Sequence, residues 1–134
     1  MNVFYNTIVF VKDINVSKAF YSCIIGLKIE LEYETVVFFE NHFVIHDYSN
    51  IMSNIFGGND QPFEKQGNQN LLIYFETDDI EKSFDQMVQN NITIINPVKQ
   101  QEWGQKVFRI YDPDNHIIEI GEAMHLDYLK KSKS

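Results

Sequence analysis

The chain has 134 residues, the size of one ordinary domain or two small modules, and its 44% hydrophobic and 14% aromatic content can fill a packed core, which excludes a disordered chain. A formal charge of −8 excludes a nucleic-acid surface built on clustered Lys and Arg; the one basic cluster, Lys130, Lys131 and Lys133, falls in the tail. No apolar run reaches the roughly 18 residues that a membrane span needs, and MNVFYNTIVF opens without a basic segment, so a soluble, cytoplasmic protein without a signal peptide is expected.

The first strand alternates, with Thr7, Val9 and Val11 on one side and Asn6, Ile8 and Phe10 on the other. Asp13 then stands where a helix-entry residue belongs, and a helix is expected near residues 15–25, closed by Gly26 in a left-handed conformation. Val16, Ala19, Phe20, Cys23 and Leu27 recur at helical spacing, which places them on one buried face. Cys23 is thereby expected as a buried structural thiol; as the only cysteine it excludes an internal disulfide and a multi-cysteine zinc site. Three strands come next, KIELEYE, TVVFFE and FVIHDY, with Asn41-His42 as the turn between the last two.

The stretch from about Ser49 to Gln69 is rich in Asn, Gly and Gln and is expected to be a linker or lid. Beyond it LLIYFET reads as a strand, Asp79 as a second helix entry, residues 79–90 as a helix, and Asn90-Asn91 as its end. ITIINPV, KVFRIYD and HIIEIGE are strands, the last two joined by DPDN. The residues from about Leu126 read as a frayed tail.

The second half repeats the first, with Asp13-Ile14 and Asp79-Ile80 at matching places. The expected fold is α+β: two βαβββ modules, residues 1–48 and 70–125, flank the linker 49–69 and leave a tail at 126–134. Each amphipathic helix should cover the outer face of a curved mixed sheet. The opposite faces would then line a trough suited to a small molecule.

In the second module, the turn DPDN sets Arg109 opposite Glu119 on one face, with Phe108, Ile110, Ile118 and Ile120 on the other under the helix. Tyr74 and Glu76 share the face of Leu72, so they are candidate trough residues. Trp103, in QEWGQ, is open to two readings, packing or stacking on a ligand at the trough mouth. His116 belongs to the turn and His125 to the tail. No Ser-His-Asp order, phosphate-cradling Gly loop or HExxH pattern is present.

VKDINVSKAFYSCIIGL and QEWGQKVFRIYDPDNHIIEIGE are similar to the two module signatures of the vicinal-oxygen-chelate superfamily, the glyoxalase, bleomycin-resistance and extradiol-dioxygenase group. The resemblance covers roughly residues 3 to 123. It implies a divalent metal held from four strands: by the strand ahead of each helix-entry Asp, and by the last strand of each module. Here those places hold Asn6, Leu72, Glu119 and, when NHFVIH is laid on NHIIEI, Ile45. Only Glu119 is a good ligand, and metals of this kind want three or more such donors. His46 would join it if the hairpin register shifted by one residue.

The expectation is therefore a small-molecule-binding protein without cofactor or catalytic metal. Its ligand-binding candidates are Asn6, Ile8, His46, Leu72, Tyr74, Trp103, Arg109 and Glu119. The alternative is a divalent-metal enzyme with Glu119 and His46 as ligands and Glu119 as the catalytic residue. It would be a lyase, isomerase or thiol transferase like glyoxalase I or the fosfomycin-modifying members. A third reading is an interaction module with a vestigial trough. A homodimer is expected, because small members of the group usually pair and open sheets leave edges that need covering.

Overall fold

The computed structural model of the protein describes residues 1–58 and 66–124; the expected tail, His125 and the middle of the expected linker lie outside them. The chain divides into two compact units, Met1–Gln66 and Gly67–Ser134. In the first, β1 (Ile8–Val11) leads to α1 (Ile14–Ala19), which runs into a π-helical turn over Phe20–Ile25. Strands β2 (Ile29–Glu32), β3 (Val36–Phe39) and β4 (Val44–Asp47) and helix α2 (Tyr48–Phe56) complete it. The second unit contains β5 (Leu72–Thr77), α3 (Ile80–Gln89), β6 (Ile94–Gln100), β7 (Lys106–Tyr111) and β8 (Ile117–Glu122).

Both sheets have the same mixed plan. The first is ordered β1-β4-β3-β2 and the second β5-β8-β7-β6. In each, the strand before the helix lies parallel to the last strand and the remaining pairs are antiparallel. The α+β duplication read from the sequence is the observed fold.

The helix entries form as the sequence dictates. Asp13 is extended, and its Oδ1 accepts the amides of Asn15 and Val16 at 3.0 and 3.2 Å. Asp79 does the same for Lys82 at 3.1 Å, satisfying donors that no helical carbonyl can reach. Gly26 closes the first helix at φ 94° and Asn91 comes after the second at φ 57°, both in the left-handed region. Asn41 and His42, at φ 61° and 64°, turn the chain between β3 and β4.

Under its helix each sheet is apolar. Val9, Val11, Val37, Phe39 and Ile45 are buried in the first unit together with Phe20 and Tyr21. In the second, Phe108, Ile110, Ile118 and Ile120 pack with Ile80 and Met87, and Phe84 meets Phe108 edge-on at 5.3 Å. A fully buried side chain of this size contributes about 1.5–3 kcal/mol.

Two expectations need correction. The buried stripe of the first helix is Ser17, Phe20 and Tyr21; Val16 and Ala19 are exposed, and Cys23 is a free, exposed thiol. Turning Phe20 and Tyr21 inward buries more area than Val16 and Ala19 offer, and Ser17 lies one turn before both. The π turn then displaces the residues after it: the Gly26 amide donates to the Tyr21 carbonyl five residues back at 3.1 Å, so Cys23 and its neighbours leave the α-helical register. The second correction is that the expected linker opens with a helix. Asp47 caps α2 by accepting the Asn50 amide at 2.9 Å, and Tyr48, read as the end of a strand, begins it. Ile51, Met52 and Ile55 give this segment a helical apolar pattern that its Asn and Ser content obscures.

Strand β6 is the outer strand of its sheet; it contains Pro97, and its pairing with β7 shifts register twice between Ile94 and Lys99. Among the described residues no helix is long and apolar enough to cross a membrane.

Candidate functional site

The side of each sheet away from its helix carries the chemistry. In the second unit, Glu119 pairs with Tyr74 across the parallel β5–β8 ladder and with Arg109 across the antiparallel β7–β8 ladder, so the three share that face. Arg109 Nε donates to Glu119 Oε1 at 2.8 Å, and Nη2 lies 2.8 Å from the same oxygen. Arg109 Nη1 donates to Asn96 Oδ1 at 3.2 Å. The Glu119 side chain is only 14% exposed, so its charge is balanced mainly by the guanidinium rather than by water.

Beside this pair, Gln105 ties two aromatic residues together. It is buried; its Oε1 accepts from Trp103 Nε1 at 2.8 Å, and its Nε2 donates to Tyr74 Oη and to the Glu122 carbonyl, both at 2.7 Å. Tyr74 in turn donates to Glu76 Oε2 at 2.8 Å. Burial pushes the Tyr74 phenol up to about 12, and the bond to the Glu76 carboxylate adds to this; Gln105 acts in the opposite direction. At neutral pH Tyr74 is therefore an uncharged donor with a fixed acceptor. Gly121 makes the arrangement possible: a Cβ there would stand 2.5 Å from Gln105 Nε2 and 3.0 Å from the Tyr74 oxygen. Trp103 and Tyr74, 52% and 44% exposed, are thus aromatic surfaces held in place from behind.

In the first unit the corresponding face is different. The parallel β1–β4 ladder pairs Ile8 with Val44 and Phe10 with His46. Ile8 holds the place of Tyr74 relative to the helix entry, so the counterpart of Glu119 is Val44. This corrects Ile45, which is fully buried on the helix side. The turn through Glu40–His42 differs from the DPDN turn, so the two hairpins do not superpose residue for residue. His46 does lie on the open face, but it occupies the place of Gly121 and its Nε2 is hydrogen-bonded to Asn50 Oδ1 at 2.9 Å. Asn6 spends its amide on the His42 carbonyl at 3.1 Å. Leu72 is 44% exposed at the start of β5.

A cavity of about 610 Å³ opens on this face, within the roughly 300–1,000 Å³ range of small-molecule sites. Asn6 and Ile8 line it, as do Tyr5, Phe38, His42 and Glu30. Phe38 was legible from the alternation of β3. Glu30 was not, because it sits where the β2–β3 register slips between Ile29 and Leu31, and such irregularities re-aim side chains. Gln105 gave no signal beyond belonging to a polar segment.

The four places that would hold a metal in the resembled superfamily carry Asn6, Val44, Leu72 and Glu119 in this register. One is an amide, two are apolar, and the single carboxylate is ion-paired. Among the described residues no three His, Cys, Asp or Glu side chains cluster closely enough to hold a metal ion. The donor set does not fit a divalent cation.

A duplicated βαβββ unit with mixed four-stranded sheets defines a glyoxalase-type scaffold, and the comparisons agree. The family described as "Glyoxalase-like domain" matches residues 4–125, and the chain belongs to it. It is 40% identical to a crystallised protein of unknown function from Agrobacterium tumefaciens str. C58, with a TM-score of 0.86 over 92% of this chain and 96% of that one. The uncharacterized protein YraH of Bacillus subtilis (strain 168) is 30% identical over 115 residues, 82% of this chain and 90% of YraH. The genomically encoded fosfomycin resistance protein FosX from Listeria monocytogenes shares the fold, with a TM-score of 0.71 and 16% identity over 96% of this chain and 98% of that one.

Proposed function

We propose that this glyoxalase-like protein binds a small organic molecule on the open faces of its sheets and does so without a catalytic metal. The observation that carries the reading is the Arg109–Glu119 pair: the one good ligand of the four places is already neutralised by a guanidinium 2.8 Å away. At the other three places stand Asn6, Val44 and Leu72, none of them a carboxylate or an imidazole. Binding falls instead to Trp103 and Tyr74, beside the pair in the second unit, and to the cavity that Asn6 and Ile8 line in the first. His46, bonded to Asn50, plays no part in it. This is the mode of the superfamily's drug-sequestering members, and it needs shape and hydrogen bonds rather than a Lewis acid.

The test uses protein purified without added metal. Elemental analysis should find metal well below one equivalent. Ligands identified in a thermal-shift screen should raise Tm equally with and without chelator. One tightly held divalent ion per chain, lost together with ligand binding on Glu119→Ala, would overturn the reading in favour of a metal-dependent lyase, isomerase or transferase.

A further inference from the structure

We infer that the cavity of the first unit is a subsite for an organic cation with an aromatic or apolar body, an inference that rests on the small-molecule reading above and names the ligand's charge. Three features of this one cavity, independent of one another, lead there. The first is its wall: Tyr5 and Phe38 present aromatic rings, His42 meets Tyr5 edge-on at 4.2 Å, and Ile8 and Val44 form an apolar floor. Aromatic faces carry negative electrostatic potential and attract cations at about 6 Å or less from the ring centre.

The second is the charge. The lining holds one carboxylate, Glu30, and no Lys or Arg. Several other carboxylates are engaged, Glu32 with Lys18, Glu40 with the Lys28 amide, Glu76 with Tyr74, Glu119 with Arg109 and Glu122 with the Lys106 amide. Among the described residues Glu34, Asp78, Asp85 and Glu102 are not, and Glu30 differs from these four in lining the cavity. The Glu30 side chain has neither a hydrogen bond nor an ion pair among the described residues. The third is the backbone that builds the wall. Glu30 lies at the irregularity between β2 and β3, and Asn41 and His42 are both left-handed non-glycine residues. Asn and His are among the residues that adopt this conformation in turns, and here the turn carries the His42 ring to the cavity wall.

These features decide the ligand's charge. A neutral aromatic entering the cavity gains nothing from the charge of the exposed Glu30. An anion would meet the same carboxylate and a protein of net charge −8. A cation satisfies Glu30 and the rings together.

The experiment titrates the full-length protein at low ionic strength with benzyltrimethylammonium, benzyl alcohol and benzoate, monitoring amide resonances by NMR. The cation should bind best and perturb Tyr5, Glu30, Phe38 and His42. Glu30→Gln should weaken the cation about threefold, as loss of one exposed charge contact implies, and leave benzyl alcohol unchanged. Tyr5→Leu, at a position 68% exposed and outside every strand and helix, should weaken the cation severalfold. Equal affinity for the cation and the alcohol, or a cation affinity indifferent to Glu30→Gln, would overturn the inference. Perturbations confined to Tyr74 and Trp103 would overturn it too, yet leave metal-free binding intact. Conversely, a stoichiometric metal alongside charge-selective binding at Glu30 would sink the metal-free reading and support the subsite.

Discussion

The open face of the second unit sets Tyr74, Arg109 and Glu119 side by side, whereas the first has Ile8, Phe38 and Val44 on the equivalent strands. On the helix side the two agree: Val9, Val11, Val37 and Ile45 in one do the work of Phe108, Ile110, Ile118 and Ile120 in the other. The strand period of two separates these duties. One set of alternate positions must stay apolar to hold the helix, and the other is free to change its chemistry without disturbing the fold. A duplicated scaffold can therefore present one polar, ion-paired surface and one aromatic surface with a lone acid.

The largest effect expected from probing this difference is at Arg109. Replacing it with Ala leaves Glu119 partly buried without its partner and should cost about 1–3 kcal/mol, read as a lower urea midpoint. The double change Arg109→Met with Glu119→Leu makes the second face resemble the first and should recover much of the loss. If the double variant is no more stable than the single one, the pair matters for something other than mutual neutralisation. Chelator should leave the wild-type midpoint where it is.

A smaller effect separates the two helix entries. Asp13→Ala and Asp79→Ala should each cost about 1 kcal/mol, with Asp13 the costlier because its carboxylate accepts two amides where Asp79 accepts one. Thermal or urea denaturation of the two variants checks the order; the reverse order would mean that the π turn of the first helix absorbs the loss of its cap.

The smallest effect is a titration. With its folded pKa raised to about 12 from an ordinary 10.0, Tyr74 contributes stability that is whole below pH 10 and is lost as pH rises towards 12. An ultraviolet titration of the tyrosinates should show one phenol lagging the rest, and Tyr74→Phe should remove that laggard. A wild-type curve without one would mean that the Gln105–Tyr74–Glu76 chain is not held in solution.

Much of this was legible in the sequence because it is local. Asp13, Asp79, Gly26 and the DPDN turn act through their own backbone, and the turn alone sets Arg109 against Glu119. The illegible remainder depended on competition or on register. Whether Val16 or Tyr21 faces inward is decided by the sheet beneath the helix, and the π turn is invisible to a fixed helical period. Naming Ile45 as the counterpart of Glu119 assumed equal hairpins, but the two turns differ, and Val44 is the residue that faces Ile8. Glu30 enters the cavity lining only through a slip between strands, and α2 was hidden by its Asn and Ser content.

Strand β6 has a consequence for the protein at high concentration. A sheet's outer strand offers unpaired amides and carbonyls to any passing chain, and regular apolar edges seed aggregation. Here Pro97 removes a donor, Lys99 brings a charge, and two breaks in register keep the strand from presenting an even ladder. Strand addition along this edge is disfavoured by the strand's own residues and pairing, a protection that does not depend on a bound ligand.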